Sequence, residues 1–181
     1  MERIWTVSTL LSLSRIILIA PVSYCLLTDF PHNTLWAALF FLAGVGTDFL
    51  DGYLARRLHQ VTEFGKIVDP VADKIAVAGV AIVLFIQGNV PLWYLILVIF
   101  RDLLIFVGGL YIRRKKNIVT QSNFPGKVAV NLVALFLLLS FVDVESLETF
   151  RIVVLWASVA MMVFSVVVYA RRLLIGRTVM A

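Results

Sequence analysis

Cysteine and histidine are almost missing from this chain. Cys25 stands alone, so no internal disulfide can form, and with only His32 and His59 there is no Cys/His cluster of the kind zinc requires. Cys25 reads as a small apolar residue, and His32 and His59 read as solvated turn residues. Charge is also thin: Asp, Glu, Lys and Arg make up 15% of the chain, against about 25% in soluble domains. There is no glycine-rich phosphate loop, dinucleotide fingerprint or Ser-His-Asp arrangement, which removes the common soluble routes to nucleotide and acyl chemistry. No linker, low-complexity stretch or internal repeat interrupts residues 1–181, so a single domain is expected.

What fills the chain instead is apolar sequence, 61% of it, with a mean hydropathy of +0.99. A spanning helix needs roughly 20 mostly apolar residues. Six segments qualify, near 8–27, 34–56, 66–87, 90–112, 126–142 and 149–170. Lipid offers backbone groups no partner, so the expectation is an all-α, multi-pass integral membrane protein with six transmembrane helices. Residues 1–7 read as a short amphipathic lead, with Trp5 at headgroup level. Arg15 interrupts the first apolar run and no clear cleavage site follows, so that run reads as a retained span rather than a signal peptide. Trp93, Tyr94 and Tyr169 read as interfacial anchors. Gly44, Gly46, Gly108 and Gly109 read as points of close helix approach.

The net charge of +5 is unevenly placed. Arg56, Arg57 and Lys66 lie between the second and third segments. Arg113 to Lys116 and Lys127 lie between the fourth and fifth, and Arg171, Arg172 and Arg177 follow the sixth. The opposite connections carry Asp29, Asp143, Glu145 and Glu148, with Arg151 as the cation. That asymmetry predicts both termini and the 57–65 connection on the cytoplasmic side. Basic residues that flank membrane spans argue for contact with lipid headgroups and against nucleic acid.

Against this background four carboxylates stand out. Asp48 and Asp51 are three apart and Asp69 and Asp73 four apart, so on helices each pair shares a face. Asp48 is expected about 13 Å inside the second helix and Asp73 about 12 Å inside the third, which levels the two pairs in a cavity open to the cytoplasm. Carboxylates at that depth are costly and mark a functional site. Clustered, they repel unless cations intervene, and hard oxygen ligands select Mg²⁺ or Mn²⁺. Two ions held side by side suit phosphoryl chemistry. Gly52 and Gly65 let a ligand reach the backbone, Ala55 is small, and the fork of Arg56 suits a phosphate. A plain salt-bridge network would instead neutralise the acids with Arg56, Lys66 and Lys74. A cation transporter would also place acids in a membrane, but it needs access from both sides, whereas these acids gather near one.

The pattern D-x2-D-G-x2-A-R-x8-G-x3-D-x3-D, over residues 48–73, resembles the signature of the CDP-alcohol phosphotransferase family at all eight fixed positions. The resemblance implies that family's fold, with the motif on the second and third of six helices, and transfer of a phosphatidyl or related group from a CDP-linked donor to an alcohol with release of CMP. It implies that Asp48, Asp51, Asp69 and Asp73 bind two metal ions and that Asp73 is also the base. Asp48, Gly52, Ala55, Arg56 and Gly65 would bind the CDP group, and the protein would be a homodimer.

The stretches Phe64 to Lys74 and Leu10 to Ile19, with Pro125-Gly126-Lys127, resemble the branch that uses CDP-diacylglycerol and glycerol 3-phosphate to make phosphatidylglycerophosphate. Its acceptor carries a phosphate, so Arg101, Arg113 and Lys127 are the candidate cations, with Ser122 adding a hydroxyl. Arg101 lies at mid-depth, where its simplest alternative partner is Asp102, and Lys127 could serve by snorkelling to headgroups. Two features depart from that branch. Ala129 to Asn131 replace its usual Thr and Gln, and Arg101-Asp102 stands where Arg-Glu is common. Arg-Asp also occurs in CMP-forming cardiolipin synthases, whose acceptor is phosphatidylglycerol. Inositol-phosphate and serine transferases are further possibilities.

Overall fold

The computed structural model describes residues 7–58, 65–116, 124–142 and 144–175, with side chains described for 12–47, 71–109, 124–142 and 144–171. All regular structure among these residues is helical: α1 (Val7–Leu27), α2 (Asn33–Leu58), α3 (Gly65–Ile86), α4 (Leu92–Lys116), α5 (Phe124–Leu139) and α6 (Glu145–Ile175). Each expected apolar segment therefore lies on a helix, with shifted ends. α6 starts earlier than its apolar run because Glu145 and Glu148 occupy its first turn, where acids complement the helix dipole. α4 runs on through Arg113 to Lys116, cations that suit a helix C-terminus. Residues 1–6, including Trp5, and His59 lie outside the described residues.

The chain divides into two compact units, Met1–Pro91 and Leu92–Ala181. In the first, α2 and α3 each pack on α1. The turn between α1 and α2 closes at His32, which adopts a left-handed φ of 62°. Asn33 then ties the turn down, donating to the Thr28 carbonyl (3.0 Å) while its Oδ1 accepts from the Thr34 N–H (2.8 Å). Across α1 and α3 the partners advance together: Arg15 with Asp73, Ile19 with Gly79, and the Leu26 carbonyl with the Gln87 amide. The two helices are thus parallel. A Cβ on Gly79 would sit 3.1 Å from Ile19 Cγ2, so the backbones approach closely there. Gly44 makes only ordinary contact with Leu18, and Gly46 has no close neighbour among the described residues. Among the described glycines of this unit the tight point is Gly79, rather than the expected Gly44 or Gly46.

In the second unit α4 and α6 are also parallel. Tyr94 meets Ser158 (2.8 Å), Arg101 meets Ser165, and a Cβ on Gly108 would sit 2.9 Å from the Tyr169 ring. The seven-residue step from 94 to 101 to 108 keeps these residues on one face of α4. α5 and α6 pack as a hairpin, with Tyr94 against Phe136 at 4.6 Å between ring centroids. Here Tyr94 and Tyr169, expected as interfacial anchors, are both buried. Lying near a helix end does not decide whether a ring faces lipid or a neighbouring helix. Trp93 is exposed, stacked on Trp156 at 6.0 Å. Cys25 is buried, in keeping with its apolar reading.

Large apolar side chains cover the outside of the helices, among them Ile17, Leu27, Ile86, Phe100, Trp156 and Phe164. So many exposed large apolar side chains on the helices of each unit are costly in water and suit lipid. Among the described residues, Leu92–Gly109 and Glu145–Arg171 are long and apolar enough to cross a membrane, and shorter apolar helices cover Ser12–Leu27, Asn33–Thr47 and Phe124–Leu139. This is a membrane protein.

Candidate active site

Both acid pairs lie on helices, as their spacing predicts. Asp48 and Asp51 sit in the last turns of α2, and Asp69 and Asp73 in the first turns of α3. Asp48 is ten residues from the end of α2 and Asp73 eight from the start of α3, or about 15 and 12 Å along the axes. Gly52, Ala55 and Arg56 are on α2 and Gly65 opens α3. The side chains of Asp48, Asp51, Ala55, Arg56 and Asp69 lie outside the described residues. Both motif helices pack on α1.

Asp73 is the motif acid whose surroundings are described. Its Oδ1 is buried and forms an ion pair with Arg15 Nη1, while 40% of its side chain stays accessible. Arg15 is 5% exposed, and its Nη2 donates to the buried Ser12 Oγ at 3.0 Å, one turn earlier on α1. This partner is not among the cations expected for the acids, which are Arg56, Lys66 and Lys74. Along the chain Arg15 stands out only as a break in the first apolar run. The signal was nonetheless available, since a lone arginine inside such a run must find a counter-charge. The donor set of the motif consists of carboxylate oxygens alone, which fits Mg²⁺ or Mn²⁺ and suits neither zinc nor copper.

Of the acceptor candidates, Arg101 is 7% exposed and fully engaged. Its Nη1 donates to Asp102 Oδ1 (2.6 Å), its Nε and Nη2 to Ser165 Oγ (3.4 and 3.3 Å), and its Nη2 also to the Gly126 carbonyl (3.3 Å). The local contact with Asp102 is thus realised, and the same guanidinium ties α4 to α6 and to the start of α5. Lys127, next to that carbonyl, is exposed. Arg101 thus meets the α5 backbone one residue before Lys127. The side chain of Arg113, and Ser122 altogether, lie outside the described residues.

Residues 5–168 match the family model described as CDP-alcohol phosphatidyltransferase. The chain is 43% identical over 95 residues to a CDP-diacylglycerol–glycerol-3-phosphate 3-phosphatidyltransferase of Mycoplasma genitalium, covering 52% of this chain and 40% of that protein. It is 34% identical over 134 residues to a protein of that name from Aquifex aeolicus, covering 73% of each. It is also 31% identical over 146 residues to a CMP-forming cardiolipin synthase of Streptomyces coelicolor, covering 78% of this chain and 68% of that protein. With some relatives, the Mycoplasma genitalium protein included, the match spans less than half of the relative's length.

Proposed function

Because the chain belongs to the CDP-alcohol phosphatidyltransferase family, we propose that it moves a phosphatidyl group from CDP-diacylglycerol to glycerol 3-phosphate, giving phosphatidylglycerophosphate and CMP. The observation that carries this reading is the complete set of motif acids at the end of α2 and the start of α3, two helices that both pack on α1, in a chain similar to two enzymes named for that reaction. In the step proposed, the acceptor hydroxyl oxygen forms a bond to the phosphatidyl phosphorus, the bond from that phosphorus to the CMP oxygen breaks, and Asp73 takes the hydroxyl proton. Asp48, Asp51, Asp69 and Asp73 would hold two Mg²⁺ or Mn²⁺ ions, which when bound neutralise the diphosphate and make CMP a better leaving group. Asp48, Gly52, Ala55, Arg56 and Gly65 would receive the CDP group. Lys127 is the exposed cation assigned to the acceptor phosphate, and Arg113 and Ser122 are assigned the same role from the sequence. Arg101 holds the start of α5, and with it Lys127.

The protein works in this reading as one domain of six spanning helices. Both termini and the acids face the cytoplasm, membrane lipid surrounds it, and two copies form a dimer. Purified protein given CDP-diacylglycerol, Mg²⁺ and glycerol 3-phosphate should release CMP. Absence of release with any alcohol would remove the transferase reading and reopen that of a cation transporter. One second reading has support of its own. Arg101-Asp102 and the similarity to the Streptomyces coelicolor protein favour a cardiolipin synthase, and release only with phosphatidylglycerol would establish it.

A further inference from the structure

We infer that Arg15 is the positioning residue of Asp73: braced by Ser12, its guanidinium fixes the carboxylate at the seam of α1 and α3 and tempers the negative charge of the acid cluster. The inference rests on the role proposed for Asp73 above.

A guanidinium 5% exposed in an apolar helix is tolerated only against a counter-charge. Arg15 meets that demand with both arms of its fork, one on Ser12 Oγ and one on Asp73 Oδ1. Ser12 is wholly buried, so the brace has no room to move. One turn further along α1, Ile19 packs into the space left by Gly79. The separation of the two backbones is therefore set by helix packing, and Arg15 reaches Asp73 from a fixed base. The result is a carboxylate with one oxygen buried and held while much of its side chain remains accessible. A base needs that combination of fixed orientation and open approach.

The charge has a second consequence. A cation touching Asp73 repels any divalent ion that the same carboxylate helps to bind. Loss of Arg15 should therefore change two quantities in opposite senses. The carboxylate loses the hold that Arg15 provides, so turnover falls, while the acid cluster gains net negative charge, so metal binding tightens. A residue that served only the fold would move neither quantity per folded molecule.

The test uses the full chain in lipid nanodiscs, with free Mn²⁺ followed by electron paramagnetic resonance and CMP release measured at saturating Mn²⁺. For Arg15→Gln, kcat per folded protein should fall roughly 10- to 100-fold, with the donor KM within about threefold of the parent. The Mn²⁺ Kd should drop by roughly tenfold. Arg15→Lys keeps the charge without the fork, so its Mn²⁺ affinity should match the parent while kcat lies between the two. Ser12→Ala removes the brace alone and should lower kcat about two- to tenfold, the worth of one hydrogen bond, at unchanged Mn²⁺ affinity. Parental kcat with only reduced thermal stability in Arg15→Gln, or Mn²⁺ binding that is unchanged or weaker, would overturn the inference. Should Arg15→Gln fail to fold, parental kcat in both Arg15→Lys and Ser12→Ala has the same force. Asp73→Asn separates the two levels. It should weaken Mn²⁺ binding if Asp73 is a ligand. If it does not, the underlying assignment of Asp73 fails and takes the inference with it.

Discussion

Arg101→Met tests whether the buried guanidinium of α4 serves the fold or the acceptor. The native side chain gives up water for three kinds of partner: the Asp102 carboxylate at 2.6 Å, Ser165 Oγ at 3.3 to 3.4 Å, and the Gly126 carbonyl at 3.3 Å. The side chains of Arg101 and Asp102 are only 8% and 19% exposed. Removing the cation takes from Asp102 the guanidinium it pairs with, in a largely buried site. Breaking a buried pair from one side costs about 3–5 kcal/mol. The longer bonds to Ser165 resemble interhelical contacts in membranes, worth about 0.6 kcal/mol each, so the carboxylate left behind dominates the loss. Arg101→Met should accordingly lose about 3–5 kcal/mol of unfolding free energy in an SDS titration followed by far-UV circular dichroism. Arg101→Met combined with Asp102→Leu should recover most of that loss, because the carboxylate goes with the cation. At equal folded fraction, both variants should show a raised acceptor KM through the loosened start of α5. If Arg101→Met is instead as stable as the parent while its acceptor KM rises, the structural account fails and Arg101 binds the acceptor directly.

Single contacts elsewhere give three more tests. Gly79→Val should force α3 away from Ile19 of α1, costing about 1–3 kcal/mol in the same titration; Ile19→Ala in the same chain should restore part of it, and absence of any rescue would rule out crowding against Ile19 as the cause. Tyr94→Phe removes the 2.8 Å bond to Ser158 Oγ, yet that hydroxyl still donates to the Leu155 carbonyl at 2.7 Å. The loss should therefore stay near about 1 kcal/mol, with kcat for CMP release unchanged. In a Cys25→Ser background, the proposed six-span topology predicts that an impermeant maleimide labels Lys127→Cys from the cytoplasmic side and Val144→Cys from the other; labelling of both from one side would overturn that proposal.

Much of this protein is legible along the chain because the relevant physics is local. The six apolar stretches lie on helices among the described residues, since a helix satisfies its own backbone groups without help from water. Spacings of three and four residues put each acid pair on one helical face before any tertiary contact exists. The failures share one cause, which is that facing is not local. Tyr94 and Tyr169 lie near helix ends like membrane anchors, yet both point into α4–α6 packing. Gly79 sits in a plain run of small and apolar residues and turns out to be the tight crossing of α1 and α3.

Arg15 and Arg101 mark the division most sharply. The sequence alone determined that each is a charge inside an apolar segment, and so must have a partner, because an unpaired ion in that setting is too costly. For Arg101 the nearest acid, Asp102, is adjacent in the chain and could be named from it. For Arg15 the partner is Asp73, on a different helix. Only the parallel packing of α1 on α3 selects it, because the choice among distant carboxylates depends on which helix faces which, and that is settled by how side chains such as Ile19 and Gly79 fit together.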